Sequence, residues 1–436
     1  MHNHLQALTN FAFSTRIISI IYSFLVKEPK VVVMRRLLNL LVVSASLLPA
    51  PALAEGSVSF SAGALSGGFL TQQDQYGFGA GKDEYFANLA YYNEVKDLRY
   101  RLNLGFDGDD AEIVLDDSFI ERKFGLWTLG VGAKNRHWGP SRYTSLVLSD
   151  NTRPVPGVYV SRASSAFENP FLSWIGEWSG DILVGKLGEH TSPSDTKLLG
   201  MRLDFNPFPG FEVELVRMVQ FGGNGRDNSA KTLLKLLSAT EDANNIVSNQ
   251  IAGLGLSYTL PNAPFRGYLQ AVGEDEANNL PSCFFSLAGL EYEGQIGNIP
   301  SVLTLEAVDT RVGRTEAGFC GANTAYRNGQ YASGYSHYGA TMGAPIDTEG
   351  TSIALYGTHE LRDLDLMWSI GQYDINQSSL SSHRLTPIRT DGLLVTLGLT
   401  KIWDEVSVST VVAYQGFDLS ESAEGISFGF KISRSF

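Results

Sequence analysis

Charge is scarce in this chain. Asp, Glu, Lys and Arg make up 18% of its 436 residues, against about 25% in soluble domains. A surface largely bathed in water is therefore not the expectation. After Ala54 no stretch offers 18 consecutive apolar residues, which excludes a membrane-spanning helix. The cysteines number two, Cys283 and Cys320, with no CxxC pair and no Cys/His zinc spacing. Basic residues are in the minority: beyond Ala54 there are 28 against 45 acidic ones, a net charge of −17. That balance opposes nucleic-acid binding, which depends on Lys and Arg neutralising phosphates. Five histidines follow Ala54, with no H-E-x-x-H, G-x-S-x-G or P-loop, so hydrolase, metalloprotease and nucleotide chemistry lack their usual residues. No cofactor or metal site is expected.

What is abundant is glycine (45), phenylalanine (24) and tyrosine (18). The N-terminal stretch is a separate matter. Met34-Arg35-Arg36, an apolar run from Leu37 to Val43, and Ala52-Leu53-Ala54 have the form of a secretory signal peptide with cleavage after Ala54. Residues 1–33 then precede the true start at Met34, and residues 55–436 form one exported domain. An exported chain without spanning helices enters a membrane only as a closed barrel, because every backbone N–H and C=O needs a partner in hydrocarbon.

The strand signal is clearest at the end of the chain. Ile426, Phe428, Phe430, Ile432 and Phe436 alternate with Gly425, Ser427, Gly429, Lys431, Ser433 and Ser435, one face for lipid and one for a polar lumen. A terminal Phe on such a strand resembles the signal read by the outer-membrane barrel assembly machinery. Working backward, period-two segments are separated by eight short connections, among them Gly297-Asn298, Leu361-Arg362 and Ser179-Gly180. These alternate with nine mostly longer ones, among them Asn135–Phe167, Gly222–Asn249, Gly273–Cys283 and Arg311–Gly350. The parity predicts an all-β, antiparallel transmembrane barrel of about 18 strands, with short turns inside and long loops outside. Cys283 and Cys320 flank one hairpin at its outer end and are disulfide candidates in an oxidising compartment.

One irregular stretch carries the most distinctive chemistry: Lys134-Asn135-Arg136-His137-Trp138-Gly139-Pro140-Ser141-Arg142-Tyr143, continuing through Leu146 to Gly157 and including Asp150-Asn151-Thr152-Arg153-Pro154. It resembles the capsule assembly Wzi family, whose members carry a Trp-Gly-Pro segment and an Arg-Pro segment after it. Phe221–Arg226, Asn249–Gly253, Gln270–Glu276, Glu306–Thr310 and Gly334–Gly343 resemble further family blocks in family order. Arg136-His137-Trp138 departs from the two adjacent Trp usual there, and Asp150-Asn151-Thr152 departs at the Arg-Pro element. The resemblance implies an 18-stranded outer-membrane barrel that acts as a lectin, attaching capsular or exopolysaccharide to the cell surface, with outer-membrane lipid around it. The alternatives are a passive porin and, more remotely, an outer-membrane hydrolase.

Read from their chemistry, Trp138 offers a stacking face for a pyranose, while Arg136, Arg142, Asn151 and Arg153 offer donors to hydroxyls or uronate carboxylates. The same segment reads equally as a plug whose Arg residues pair with lumenal carboxylates. Tyr335, with Tyr326, Tyr331 and Tyr338, is either a sugar platform or an interfacial girdle. Glu274-Asp275-Glu276 lacks a calcium-loop spacing and reads as a solvated rim. Ser229–Val247 predicts a short amphipathic helix in an external loop, packed over the barrel mouth.

Overall fold

The computed structural model describes residues 56–70, 85–107, 112–167, 169–238, 246–277, 280–313 and 320–436. The signal-peptide reading and most of the predicted loops at 72–83 and 107–110 lie outside them. Strands with outward apolar and inward polar or small side chains form one antiparallel sheet of 19 segments. Glu112–Val114 and Phe119–Phe124 both pair with Leu98–Asp107, so they are two halves of one interrupted wall strand. The barrel therefore has 18 wall strands. It closes where Ser57–Ser66 pairs with Gly425–Ser435 from Ser59↔Ser435 to Ser66↔Phe428, and the Phe436 amide donates to the Val58 carbonyl at 2.8 Å.

The alternation read from the last strand is real: Ile426 and Phe428 face outward and exposed, while Ser427 is buried. The same pattern runs through Phe265–Ala277, where Tyr268, Gln270 and Val272 are buried inside and Leu269 is exposed outside. At one end most of the hairpins are two residues long. In five of them the first loop residue, Lys96, Gly125, Gly297, Arg362 or Asp404, has positive φ, the backbone that matches the right-handed twist of paired strands. Aromatic residues cluster at this end, with Phe208, Phe211 and Tyr258 in ring contact. The connections at the other end are mostly longer, the parity expected of an outer-membrane barrel.

Three boundaries differ from the sequence reading. Ser179-Gly180 is not a turn: both lie inside strand Glu177–Lys186. The connection is the stretch between Ala166 and Glu177, built around a 3-10 turn at Pro170–Ile175 whose Asn169 side chain caps the Phe171 amide at 2.9 Å. Strand Gly157–Ala166 occupies what reads as external loop. Its Ser and Ala positions carry little apolar contrast, so period-two alternation is faint there. The hairpin expected to open at Gly273 instead continues as strand to Ala277 and resumes at Leu280.

Helix α1 (Ala230–Ser238) is present but does not span the mouth. Its buried Leu236 packs against Leu199, Val219 and Phe221, which project from the outer surface of the wall.

Candidate functional site

Strand Trp127–Gly132 is short, and at its end the chain leaves the wall. Gly132 has φ 144°, and a Cβ there would sit 2.2 Å from the Ser118 carbonyl oxygen, so only glycine fits this departure. Residues 133–156 then descend into the lumen as a hairpin-like excursion whose arms meet where the Trp138 amide donates to the Leu148 carbonyl at 2.8 Å. Its tip is braced by serines. Ser145 Oγ accepts from the amides of Val147 and Leu148, and Ser141 Oγ accepts from those of Tyr143 and Thr144. Ser141 also donates to the buried Glu306, which takes a second hydrogen bond from Tyr268 at 2.8 Å. Gln270 Oε1 accepts the Leu146 amide at 2.9 Å.

Two of the expected sugar contacts have no free face. Trp138 is 2% exposed, with its ring within about 3 Å of where a Cβ on Gly200 would stand. It is a packing residue of the plug, because the wall opposite it is glycine and leaves room for the indole. Tyr335, 1% exposed, donates its hydroxyl to the Val147 carbonyl at 2.7 Å. Tyr326 and Tyr331 are also buried, and Tyr326 donates to the Leu146 carbonyl at 2.9 Å. Tyr326 and Tyr335 are pins between the excursion and the 320–350 connection, and Tyr331 donates instead to the Gly222 and Val247 carbonyls at 3.2 Å, so these three are neither platform nor girdle. Only Tyr338 of the four is exposed.

Arg142 lies low in the lumen, paired with Glu291 at 2.9 Å and with Glu293. The ring of Tyr143 beside it stacks on Tyr356 with centroids 3.9 Å apart. Asn151 donates to the Thr341 carbonyl at 2.9 Å and Thr152 to the His337 carbonyl at 2.6 Å. Ser149 donates through its amide to Met342 and through Oγ to Gly343. Leu146, Val147, Tyr326, Tyr335, Ala344 and Ile346 thereby join one buried cluster with lumen-facing Met218, Val272, Phe285, Val308 and Tyr373. The lumen is filled by the protein's own loops. Cys283 and Cys320 form a disulfide, Cα atoms 5.5 Å apart, that ties the 320–350 connection to the wall.

Arg136 and Arg153 remain at an opening. A pocket lined by Lys134, Asn135, Arg136, Asp150, Arg153 and Pro154 sits where the excursion leaves the wall. The Arg136 guanidinium lies 4.5 Å over the Tyr159 ring and its Nη1 donates to the Lys134 carbonyl at 2.9 Å. Its Nη2 is buried without a hydrogen-bond partner among the described residues. Lys134 is held by Glu121 at 3.1 Å. Arg153 grips Asp116 through two hydrogen bonds, at 2.8 and 3.1 Å, and stacks 4.2 Å over Tyr338. Three cations and a spare guanidinium donor around one cleft suit a carboxylate-bearing sugar. Lys134 and Asp116 are not marked as contacts by the sequence, and nothing in spacing distinguishes exposed Tyr338 from the three buried tyrosines grouped with it.

Ser336 and His337 do not form a nucleophile and base. The Ser336 hydroxyl donates to the Ser333 carbonyl, and His337 Nδ1 accepts the Gly188 amide at 2.8 Å. Burial pushes His337 down to about 4, helped by Arg153, and pushes His137 to about 4 as well. Both imidazoles are neutral when the loops are docked. An undocked imidazole protonates near 6.5, so docking is fully favoured above that pH and loses ground as pH falls through the window from about 6.5 to about 4. Limited proteolysis of the 320–350 connection should accelerate across that window, and His337→Gln should flatten the profile. A flat profile in the unchanged protein would overturn this linkage. Glu274 points inward and accepts the Tyr326 amide at 3.0 Å, and among the described residues no group of three or more His, Cys, Asp or Glu gathers to hold a metal.

The family model of capsule assembly protein Wzi matches residues 54–416. A Klebsiella pneumoniae protein described as an uncharacterized 55.8 kDa protein in the cps region is 32% identical over 195 residues, 43% of this chain and 39% of that one. This chain thus matches well under half the length of that relative. A solved structure described as Wzi, an outer membrane protein involved in group 1 capsule assembly in Escherichia coli and a carbohydrate-binding β-barrel, superposes with a TM-score of 0.76. It is 23% identical, with 87% of this chain and 84% of that one covered.

Proposed function

The chain belongs to the capsule assembly Wzi family, and from that membership we propose that this outer-membrane barrel is a surface lectin that holds capsular or exopolysaccharide at its long-loop end. It acts by binding and not by catalysis. The observation that carries the reading is the pocket at Lys134, Arg136 and Arg153, where Arg136 Nη2 is left without a partner. A buried guanidinium N–H with no acceptor is costly, and a uronate or other acidic substituent supplies the missing acceptor. The filled lumen argues against the porin alternative.

Arg136→Gln removes the charge and the spare donor. A hydrogen bond to a charged group contributes roughly 1.5 to 3 kcal/mol, so retention on an immobilised acidic capsular glycan should fall about tenfold or more. Arg142→Ala, which breaks a pair low in the lumen, should lower thermal stability without changing retention. Full retention by Arg136→Gln at unchanged folded-barrel amount would sink the pocket assignment.

A further inference from the structure

Helix α1 lies on the side of the wall that faces away from the lumen. In the strand Phe211–Phe221, Met218 and Gln220 point inward: Met218 Sδ lies beside Gly200 and the Trp138 ring, and Gln220 Nε2 donates to the Gly334 carbonyl. Strand alternation turns Leu215, Arg217, Val219 and Phe221 outward. In the neighbouring strand Lys197–Phe208, Gly200 faces Trp138 in the lumen, so Leu199 and Met201 are outward too. Leu236 is buried against outward Leu199, Val219 and Phe221, with Met201, Leu233 and Leu237 alongside.

Its level is fixed by Arg217. Leu215, Leu203 and Leu254 are register partners, all exposed, and form the apolar belt here. Arg217 is the next outward position above that belt. An outward cation beside hydrocarbon is costly unless its donors are met, and α1 and the strand Ser248–Thr259 meet them: Arg217 donates to the Leu236 carbonyl at 2.8 Å and to Gln250 Oε1. The start of the helix is set by Asp227, which accepts the Ser229 amide at 2.8 Å, and by Ser229 Oγ, which accepts the Thr232 amide. A helix pinned at both ends still presents Leu234, 65% exposed, and the exposed Lys231 away from the wall.

We propose that α1 is an interfacial collar in the outer leaflet: Leu234 enters the boundary between headgroups and acyl chains, and Lys231 contacts lipid phosphate. The occupant follows from continuity with the lipid-facing belt one outward position below, and from a basic residue offered there by an exported chain of net charge −17. An amphipathic helix with Lys flanking an apolar residue is the form that binds anionic membrane surfaces.

The native disulfide leaves no free thiol, so a single cysteine at Leu234 carries an environment-sensitive dye in the folded full-length barrel. Dyes at Leu254 in the belt and at Ser420 in an external connection serve as references. In vesicles containing lipid A, the dye at 234 should lose most of its emission to a quencher attached near the headgroup and little to aqueous iodide. Lys231→Glu should weaken the lipid quenching in those vesicles and leave it unchanged in phosphatidylcholine. Iodide quenching at 234 equal to that at 420 would overturn the collar. Lipid quenching indifferent to Lys231→Glu would overturn the phosphate contact, and protection that appears only when capsular glycan is added would assign this face to the polysaccharide instead.

Discussion

Replacing Asp347 with alanine should release the external connections while the barrel stays folded. Asp347 is fully buried, with φ 57°. Its carboxylate accepts from Thr341 at 2.7 Å, from Arg384, and from Arg327 at 3.4 Å, with His383 at 3.9 Å. Burial alone raises a carboxyl's pKa, but Arg384 and Arg327 outweigh it and hold Asp347 below its ordinary range. One anion therefore joins 320–350 to 376–389. Removing it leaves two largely buried guanidinium groups facing one another, and breaking a buried pair in this way costs about 3 to 5 kcal/mol. Hydrogen exchange should rise in both connections and not in the wall, whose ladder of backbone bonds Asp347 does not join. Unchanged exchange at 320–350 would show that the tyrosine pins suffice without it.

Cutting the tip of the lumenal excursion should convert a closed barrel into a cation-selective channel. The arms meet at Trp138 and Leu148, so residues 139–147 are replaceable by a Gly-Gly turn without stretching the chain. The excision takes away Arg142 and Ser141, leaving Glu291, Glu293 and Glu306 without those partners. It also removes Leu146 and Val147, both fully buried. Planar-bilayer recordings should show conductance that the unchanged protein lacks, and a reversal potential favouring cations because carboxylates then line the opening. If the excised protein stays silent, the 320–350 connection closes the lumen by itself.

The wall was legible in the sequence because each strand repeats a local rule. Ile426, Phe428 and Ser427 show on their own which way they face, and Gly297-Asn298 declares a turn without reference to anything distant. Where contrast is weak, as in the Ser and Ala positions of Gly157–Ala166, the rule is silent and the segment reads as loop. The candidate site failed differently. Trp138 and Arg153 are equally suited to sugar or to plug, and the choice depends on groups far along the chain: Gly200 makes room for the indole, Asp116 and Tyr338 hold the guanidinium. Near Arg136 the carboxylate of Glu121 is already engaged by Lys134, Arg99 and Tyr159. No spacing encodes those assignments.

The seam between Ser57–Ser66 and Gly425–Ser435 also bears on how the molecule is made. A sheet that has not yet closed presents two raw edges whose N–H and C=O groups no lipid can satisfy, and here those edges belong to the first and last strands. The Leu70 amide finds its acceptor in Gln415, 345 positions away. No run of consecutive strands, however long, is a viable membrane object by itself, so the penultimate state must be sheltered until Phe436 arrives. Insertion is then all-or-none, and a chain cut anywhere short of its last strand is expected to be degraded in the periplasm instead of persisting as a smaller barrel.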